Sequence, residues 1–274
     1  MGTTEHPYVL GHSTLEIERL KAQAALIDPI TERFFRSAGL APGMRVLDVG
    51  SGAGDVALLA RRLVGDSGSV VGFDRSPVAL QVARGRASEL GLASSVTFRE
   101  GDPTELGLEE PVDAAVGRYV LQFQPDPVAM LRRIASLVRP GGVVVFHEID
   151  WGSLSSFPPV PTYDRLCAWG AETMRRHRTE TRMGAKLHAT FVAAGLREPS
   201  VRLEALAVGG DRAGAWLRSF RDLIAVLLPE MVRLGVASEL DAGLDTAVEG
   251  MAEEARRTGS VFIGHGQFGA WAAR

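Results

Sequence analysis

The sequence predicts a doubly wound α/β domain with helical additions, and three observations lead there. Between residues 40 and 150, short apolar runs alternate with amphipathic stretches of 10 to 15 residues. That rhythm belongs to βαβ units, which build a mostly parallel sheet covered on both faces. Cap and turn residues punctuate each change. Finally, Val46–Gly54 passes from an apolar strand through a glycine-rich turn into a helix start.

The elements follow in order. Ser13-Thr-Leu-Glu16 is a capping box, so a helix is expected from Thr14, with Leu15, Leu20, Ala24 and Ile27 on its apolar side. Asp28-Pro29 has the form of a cap followed by a first-turn proline and predicts a second helix, ending at Gly39. Strands are expected at Arg45–Val49, Ser69–Phe73, Val96–Arg99, Val112–Gly117 and Gly142–Ile149. The helices between them are Asp55–Val64, a Ser76-Pro77-capped segment reaching Leu90, and an Asp126-Pro127-capped segment reaching Val138. After Ile149 the rhythm changes. Residues 152–161 are rich in Ser and Pro and predict a loop, and 162–180 a charged amphipathic helix. Met183–Ala194 is a helix and Ser200–Val208 a strand. Residues 212–257 predict two or three helices, and Ser260–Phe268 a last strand. The expected organisation is an N-terminal helical cap over 1–38 and one domain over 39–274, with helical insertions at 152–180 and 212–257 that would serve as a lid.

Composition removes several function classes. The 274 residues carry 30 basic and 33 acidic side chains, a formal net charge of −3, without the basic footprint of a nucleic-acid binder. The single cysteine, Cys167, excludes an internal disulfide framework and a cysteine zinc site. Met1–His6 lacks the apolar run of a signal peptide. The longest strongly apolar stretch, Leu223–Leu228, is far short of the ~20 residues of a membrane helix. A cytoplasmic protein with a small-molecule substrate, and neither nucleic-acid nor membrane partners, is expected.

The chemistry centres on the glycine turn. Gly50, Gly52 and Gly54 permit a tight turn without side chains between backbone and ligand, ahead of a helix N-terminus with free N–H groups. A dinucleotide site would space its third glycine one residue further on. Asp48 ends the strand, where its charge repels a pyrophosphate but favours an ammonium and a sulfonium. Asp74, 26 residues later, ends the next strand, where a carboxylate accepts hydrogen bonds from a ribose diol. Asp102 follows the third strand in Glu100-Gly-Asp102, placed to accept from an exocyclic amine.

On these residues the sequence resembles the class I S-adenosylmethionine-dependent methyltransferases, in the small-molecule branch similar to quinone-biosynthesis methyltransferases. The likeness runs through Val46–Gly54, Gly72-Phe-Asp-Arg-Ser76, Arg99-Glu-Gly-Asp102, Val112–Arg118 and Leu137-Val-Arg-Pro-Gly-Gly142. It implies a seven-stranded Rossmann-like sheet whose last strand is antiparallel. It also implies S-adenosylmethionine as cofactor, leaving as S-adenosylhomocysteine. The methionine part would lie against Asp48, Gly50 and Gly52, with Arg118 lining that end, and Ser51 and Gly54 of the same turn would also contact the cofactor. Asp74 would take the ribose beside Ser76, and the adenine would lie between Arg75 and Gly101-Asp102-Pro103.

Methyl transfer needs alignment of nucleophile, methyl and sulfur, and sometimes removal of a proton. His147 and Glu148 end the fifth strand and are candidates for that role, His147 as general base; burial in the sheet layer is the competing account of both. Glu148 and Asp150 come from one strand, too few ligands to argue a metal. Tyr8 and His12 precede the first helix and are candidates for closing over the cofactor. Tyr119, Gln122-Phe123, Trp151, His177, Trp216 and Phe220 are candidate substrate contacts; for the Trp216–Phe220 face, core or homodimer packing is equally open. His188, His265 and Cys167 are packing or surface residues on this reading. The expected activity is methyl transfer to a moderately hydrophobic metabolite, foremost at oxygen, with nitrogen or carbon open. The alternative is a protein of the same fold that binds S-adenosylmethionine and catalyses a non-methylating isomerisation or cyclisation.

Overall fold

A computed structural model describes residues 14–102, 107–238 and 243–274. Its contacts divide the chain into two units. A sheet unit comprises Ala24–Ile149, Met183–Leu203 and Gln267–Arg274. A helical unit comprises the described part of Met1–Gln23 with Asp150–Arg182 and Glu204–Gly266. This division departs from the expected boundary at residue 38. Phe34 and Phe35 are fully buried, and Phe35 joins the core cluster of the sheet unit, so the second half of the first helix belongs there.

The strands are β1 (Arg45–Val49), β2 (Ser69–Asp74), β3 (Val96–Glu100), β4 (Val112–Arg118), β5 (Val138–Asp150), β6 (Ser155–Phe157), β7 (Ser200–Glu204), β8 (Ala207–Gly209), β9 (Val261–Ile263) and β10 (Gly266–Ala273). The helices are α1 (Thr14–Ser37), α2 (Asp55–Val64), α3 (Pro77–Glu89), α4 (Pro127–Leu137), α5 (Pro161–Arg176), α6 (Met183–Ala193), α7 (Ala213–Arg233) and α8 (Leu244–Thr258). Seven strands form one sheet in the order β3-β2-β1-β4-β5-β10-β7, with β1 to β5 parallel and one antiparallel strand. Reciprocal bonds Gly141 N–H to Arg274 O (3.0 Å) and Arg274 N–H to Gly142 O (2.8 Å) tie the last residue to β5.

Alternation along the strands decides what each face buries. Val46, Val70, Val96, Phe98, Ala114 and Val116 pack with α2 and α3, whereas Leu47, Val49, Val71, Phe73, Ala115 and Phe146 pack with α4 and α6. A bulge between Val112 and Ala114 lets Val112 join the second face out of phase with its neighbours. Across this shift the partner in β5 moves from Val138 to Val143, so the extra residues lie in β5; Asp113 accepts from the Arg45 amide at 2.7 Å and from Arg139 Nε at 2.6 Å.

Four sequence expectations need correction. The helix does not restart at Asp28-Pro29; α1 runs through Pro29. The genuine caps Ser76 and Asp126 accept from the amides of Ala79 and Ala129, whereas the Asp28 carboxylate is taken by Arg118 at 2.8 Å. The strands expected at 200–208 and 260–268 are each divided. β7 and β10 enter the seven-stranded sheet, while β8 and β9 join β6 in a three-stranded one. The Gly264 amide donates to Leu206 O at 2.9 Å and the Gly266 amide to Ser153 Oγ, so the ladder cannot continue through Gly264–Gly266. The stretch expected as a loop at 152–161 contains β6 and follows a 3-10 turn at Trp151–Ser153. α5 ends at Arg176 rather than at 180, because Arg178 adopts a left-handed φ of 59°.

Candidate functional site

The site in the sheet unit is built at the carboxyl ends of β1, β2, β4 and β5. Asp48 lies in the centre of the sheet, in register with Gly72 on one side and Val116 on the other. It is fully buried, and neither carboxylate oxygen has a hydrogen-bond partner among the described residues. Burial pushes its carboxyl well above the usual range, against the pull of the Arg118 guanidinium. Ser51 Oγ is a second buried oxygen without a partner among the described residues.

The turn between them depends on glycine. Gly50 has a φ of 68° and would place a Cβ 2.7 Å from a Val120 methyl. Gly54 has a φ of 89° and would press against Ala83 and Phe98 at 3.1 Å. Asp74 braces this turn: one carboxylate oxygen accepts from the Gly52 amide at 2.8 Å, the other from the Ser76 amide at 2.8 Å. Its carbonyl receives the Gly101 amide at 3.1 Å. Arg75 and Asp102 form an ion pair. Asp48, Gly50, Ser51, Gly52, Gly54, Asp74, Arg75, Ser76, Gly101 and Asp102 therefore belong to one group of strand ends. Pro103 lies outside the described residues, as do Tyr8 and His12.

Beyond β4 and β5 the polar groups are paired. Arg118 donates to Asp28 Oδ1 at 2.8 Å and to Thr31 Oγ1 at 3.1 Å. Thr31 Oγ1 lies 3.1 Å from His147 Nδ1, and His147 Nε2 lies 2.7 Å from Gln267 Oε1. The Tyr119 hydroxyl donates to the same Gln267 oxygen at 2.5 Å. His147 is fully buried, and its pKa is lowered to about 3, chiefly by burial and then by Arg118. With Gln267 accepting, the neutral ring carries its proton on Nε2. A histidine held at both nitrogens has the geometry of a strut, not of a base with a free lone pair.

Glu148 points to the other side of β5. Its carboxylate accepts from the Val120 and Leu121 amides at 2.8 and 2.7 Å, and from the Gln122 amide at 3.4 Å. It thereby caps the 3-10 turn Leu121–Phe123. Burial pushes its pKa up to about 7, while these amides hold it down. The turn also carries Gln122, expected with Phe123 at the substrate border. Gln122 is buried and its side-chain oxygen has no partner among the described residues. Phe123, on the same turn, is half-buried.

The remaining candidates lie in the helical unit. Asp150 caps the 3-10 turn through Gly152 and contacts Arg182 at 3.4 Å. His177 Nε2 lies 2.9 Å from Glu230, joining the end of α5 to α7. Trp216 and Phe220 pack with Tyr163 and Phe262 in an aromatic core, and Trp216 Nε1 donates to the Tyr163 hydroxyl at 3.1 Å. Trp151 packs edge-to-face on His265 with ring centroids 4.6 Å apart. Cys167 is buried on α5, and burial pushes its thiol up. Among the described residues no three His, Cys, Asp or Glu side chains converge as a metal site, and no helix is long and apolar enough to cross a membrane.

Comparison with known proteins adds to this geometry. The family model described as "Methyltransferase domain" matches residues 40–198. A 2-phytyl-1,4-naphtoquinone methyltransferase from Synechococcus elongatus is 41% identical over 101 residues, 36% of this chain and 43% of that protein. A ubiquinone biosynthesis O-methyltransferase from Xanthomonas campestris pv. campestris is 31% identical over 152 residues, 55% of this chain and 58% of that one. The chain thus spans about half the length of these curated relatives. Among solved structures, a methyltransferase from Geobacter sulfurreducens in complex with S-adenosyl-L-homocysteine superposes with a TM-score of 0.52 at 24% identity, covering 90% of each chain. The cyclase SpnF gives 0.55 at 22% identity, covering 90% of this chain and 80% of that one. At these identities the likeness is one of fold.

Proposed function

The chain belongs to the methyltransferase-domain family, and from that premise we propose that it transfers a methyl group from S-adenosylmethionine to a small, moderately hydrophobic organic acceptor, at oxygen in preference to nitrogen or carbon. One observation carries the cofactor half of this reading. Around a glycine turn, Asp48, Ser51 and Gln122 bury four side-chain oxygens with no partner among the described residues. Buried acceptors without donors are costly, at about 1–3 kcal/mol each, and a ligand that brings an ammonium group supplies the missing donors. The residues present fit that group.

When bound, S-adenosylmethionine supplies a methyl carbon already activated by its sulfonium. The chain's own part is placement. Asp48 and Gln122 hold the amino-acid end, Asp48 by charge and Gln122 through its carboxamide oxygen. Asp74 fixes the Gly52 and Ser76 amides and keeps lone pairs for a ribose diol. Glu148 locks the 120–122 turn that presents Gln122, and the His147 network locks Tyr119; both are positioning residues here. The oxygen preference draws on relatives named for ubiquinone O-methylation.

The reading is tested in two steps. S-adenosylhomocysteine is titrated calorimetrically against wild type and Asp74→Ala; tight binding and a loss of at least tenfold are expected, and unchanged affinity would remove the ribose assignment. Methyl-labelled S-adenosylmethionine is then incubated with the protein and a metabolite extract. A labelled product identifies the acceptor atom by fragmentation. Tight cofactor binding without any labelled product would favour the non-methylating alternative.

A further inference from the structure

We infer that the helical unit contains a binding site for a planar aromatic molecule bearing an oxygen acceptor, addressed by the Trp151 indole N–H beside His265. This goes beyond the reading above and is tested independently of it.

The observations lie within one unit. Trp151 is only 4% exposed, and its Nε1 has no hydrogen-bond partner among the described residues. Indole nitrogens inside proteins normally find an acceptor, and Trp216 next door does, on the Tyr163 hydroxyl. The difference is not loose placement. Trp151 is held by its own amide, which donates to Thr181 O at 2.9 Å, and by the Asp150-capped turn. Gly170 admits the benzo edge of the indole, since a Cβ there would lie 3.2 Å from Trp151 Cζ3.

His265 stands against this ring at 4.6 Å and against Trp216 at 6.2 Å, edge-on to both. It is buried, and its pKa is lowered to about 3, by burial first and by Arg19 second. A neutral imidazole beside an N–H donor suits a phenolic or enolic oxygen, which can both accept and donate. Arg19, itself buried and donating to Gln23 at 2.8 Å, adds a cation that favours negative charge on such an oxygen. The rings of Trp151 and Trp216 on either side of His265 offer aromatic carbon to a flat ring.

The test uses three probes against the full chain saturated with S-adenosylhomocysteine: 2-naphthol, 2-methoxynaphthalene and naphthalene. Calorimetry should show 2-naphthol binding at least tenfold more tightly than naphthalene, with the ether between them. Trp151→Phe keeps a ring and removes the N–H, and should bring that preference to within about threefold. In a nitrogen–proton correlation spectrum, the indole peak missing from Trp151→Phe should be the one that moves most when 2-naphthol is added to wild type. Equal binding of 2-naphthol and naphthalene, absence of binding by all three, or an unmoved Trp151 peak would overturn the inference. Should Trp151→Phe fail to fold, His265→Leu and the wild-type spectrum with naphthalene as control provide the same comparison. Binding of S-adenosylhomocysteine is scored separately, so losing the aromatic site leaves the cofactor reading standing, and the reverse.

Discussion

Two buried histidines sit in opposite kinds of surroundings. His147, in the sheet unit, is bonded at both ring nitrogens within a chain of groups from Asp28 through Arg118 and Thr31 to Gln267 and Tyr119. His265, in the helical unit, stands in an aromatic enclosure beside an indole N–H that lacks an acceptor among the described residues. Both are held neutral by burial. The first arrangement is closed, and its members support one another. The second is open at one hydrogen-bonding position. A buried histidine at the end of a central strand invites a catalytic assignment, yet here both of its ring nitrogens are already bonded.

That contrast sets an order of effects. His147→Leu should be the most damaging substitution, because it breaks both hydrogen bonds of a fully buried imidazole, to Thr31 and to Gln267, and sets a side chain of another shape in the sheet layer; a loss of about 3–4 kcal/mol in urea unfolding is expected, against less than about 1 kcal/mol for Trp151→Phe. Comparable losses would erase the distinction between the closed and the open surroundings.

Glu148 gives the next largest effect, through pH. Its pKa in the folded state is pushed up to about 7 from an ordinary value of 4.5. The unfolded chain therefore loses this proton first. The stability attached to it is full below about pH 4.5, falls as pH rises, and levels above about pH 7. In Glu148→Gln that slope is absent. The stability difference between variant and wild type should move in the variant's favour by about 3 kcal/mol across this window. A pH-independent difference would mean that Glu148 stays ionised throughout.

Smaller effects probe the glycine turn. Gly50→Ala meets a methyl of Val120 in a left-handed backbone; a cost of about 2 kcal/mol with at least a tenfold loss of S-adenosylhomocysteine affinity is expected by unfolding and calorimetry. Gln122→Leu should weaken that binding about fivefold, roughly 1 kcal/mol, while leaving the thermal midpoint nearly unchanged. An unaltered affinity would return Gln122 to packing.

Most of the sheet unit was legible because its signals are local. The helix Asp55–Val64 falls between Gly54 and Gly65, and both its ends match the expectation. Ser76-Pro77 and Asp126-Pro127 cap as they should. Asp28-Pro29 carries the same local signal and fails because a distant arginine claims the carboxylate. The divided strands at 200–209 and 261–273 failed for a related reason: period-two alternation shows that a strand exists, not which sheet receives it. At the site, the glycine turn and its acids could be read from spacing. The partners of His147 lie 116 and 120 residues away, and the isolation of Gln122 is a property of burial alone.

The position of β10 bears on how the chain reaches this fold. It is made after every other strand of the sheet, yet it lies between β5 and β7. During synthesis β1 to β5 can assemble early, but β7 has no neighbour to pair with until residues 266–273 have emerged. The half-built sheet must keep the β5 edge open for all that time, as an exposed edge able to recruit foreign strands. Completion is therefore a late, long-range event, and conditions that slow the delivery of β10 should show first as aggregation of nascent chains, before any defect in the finished protein.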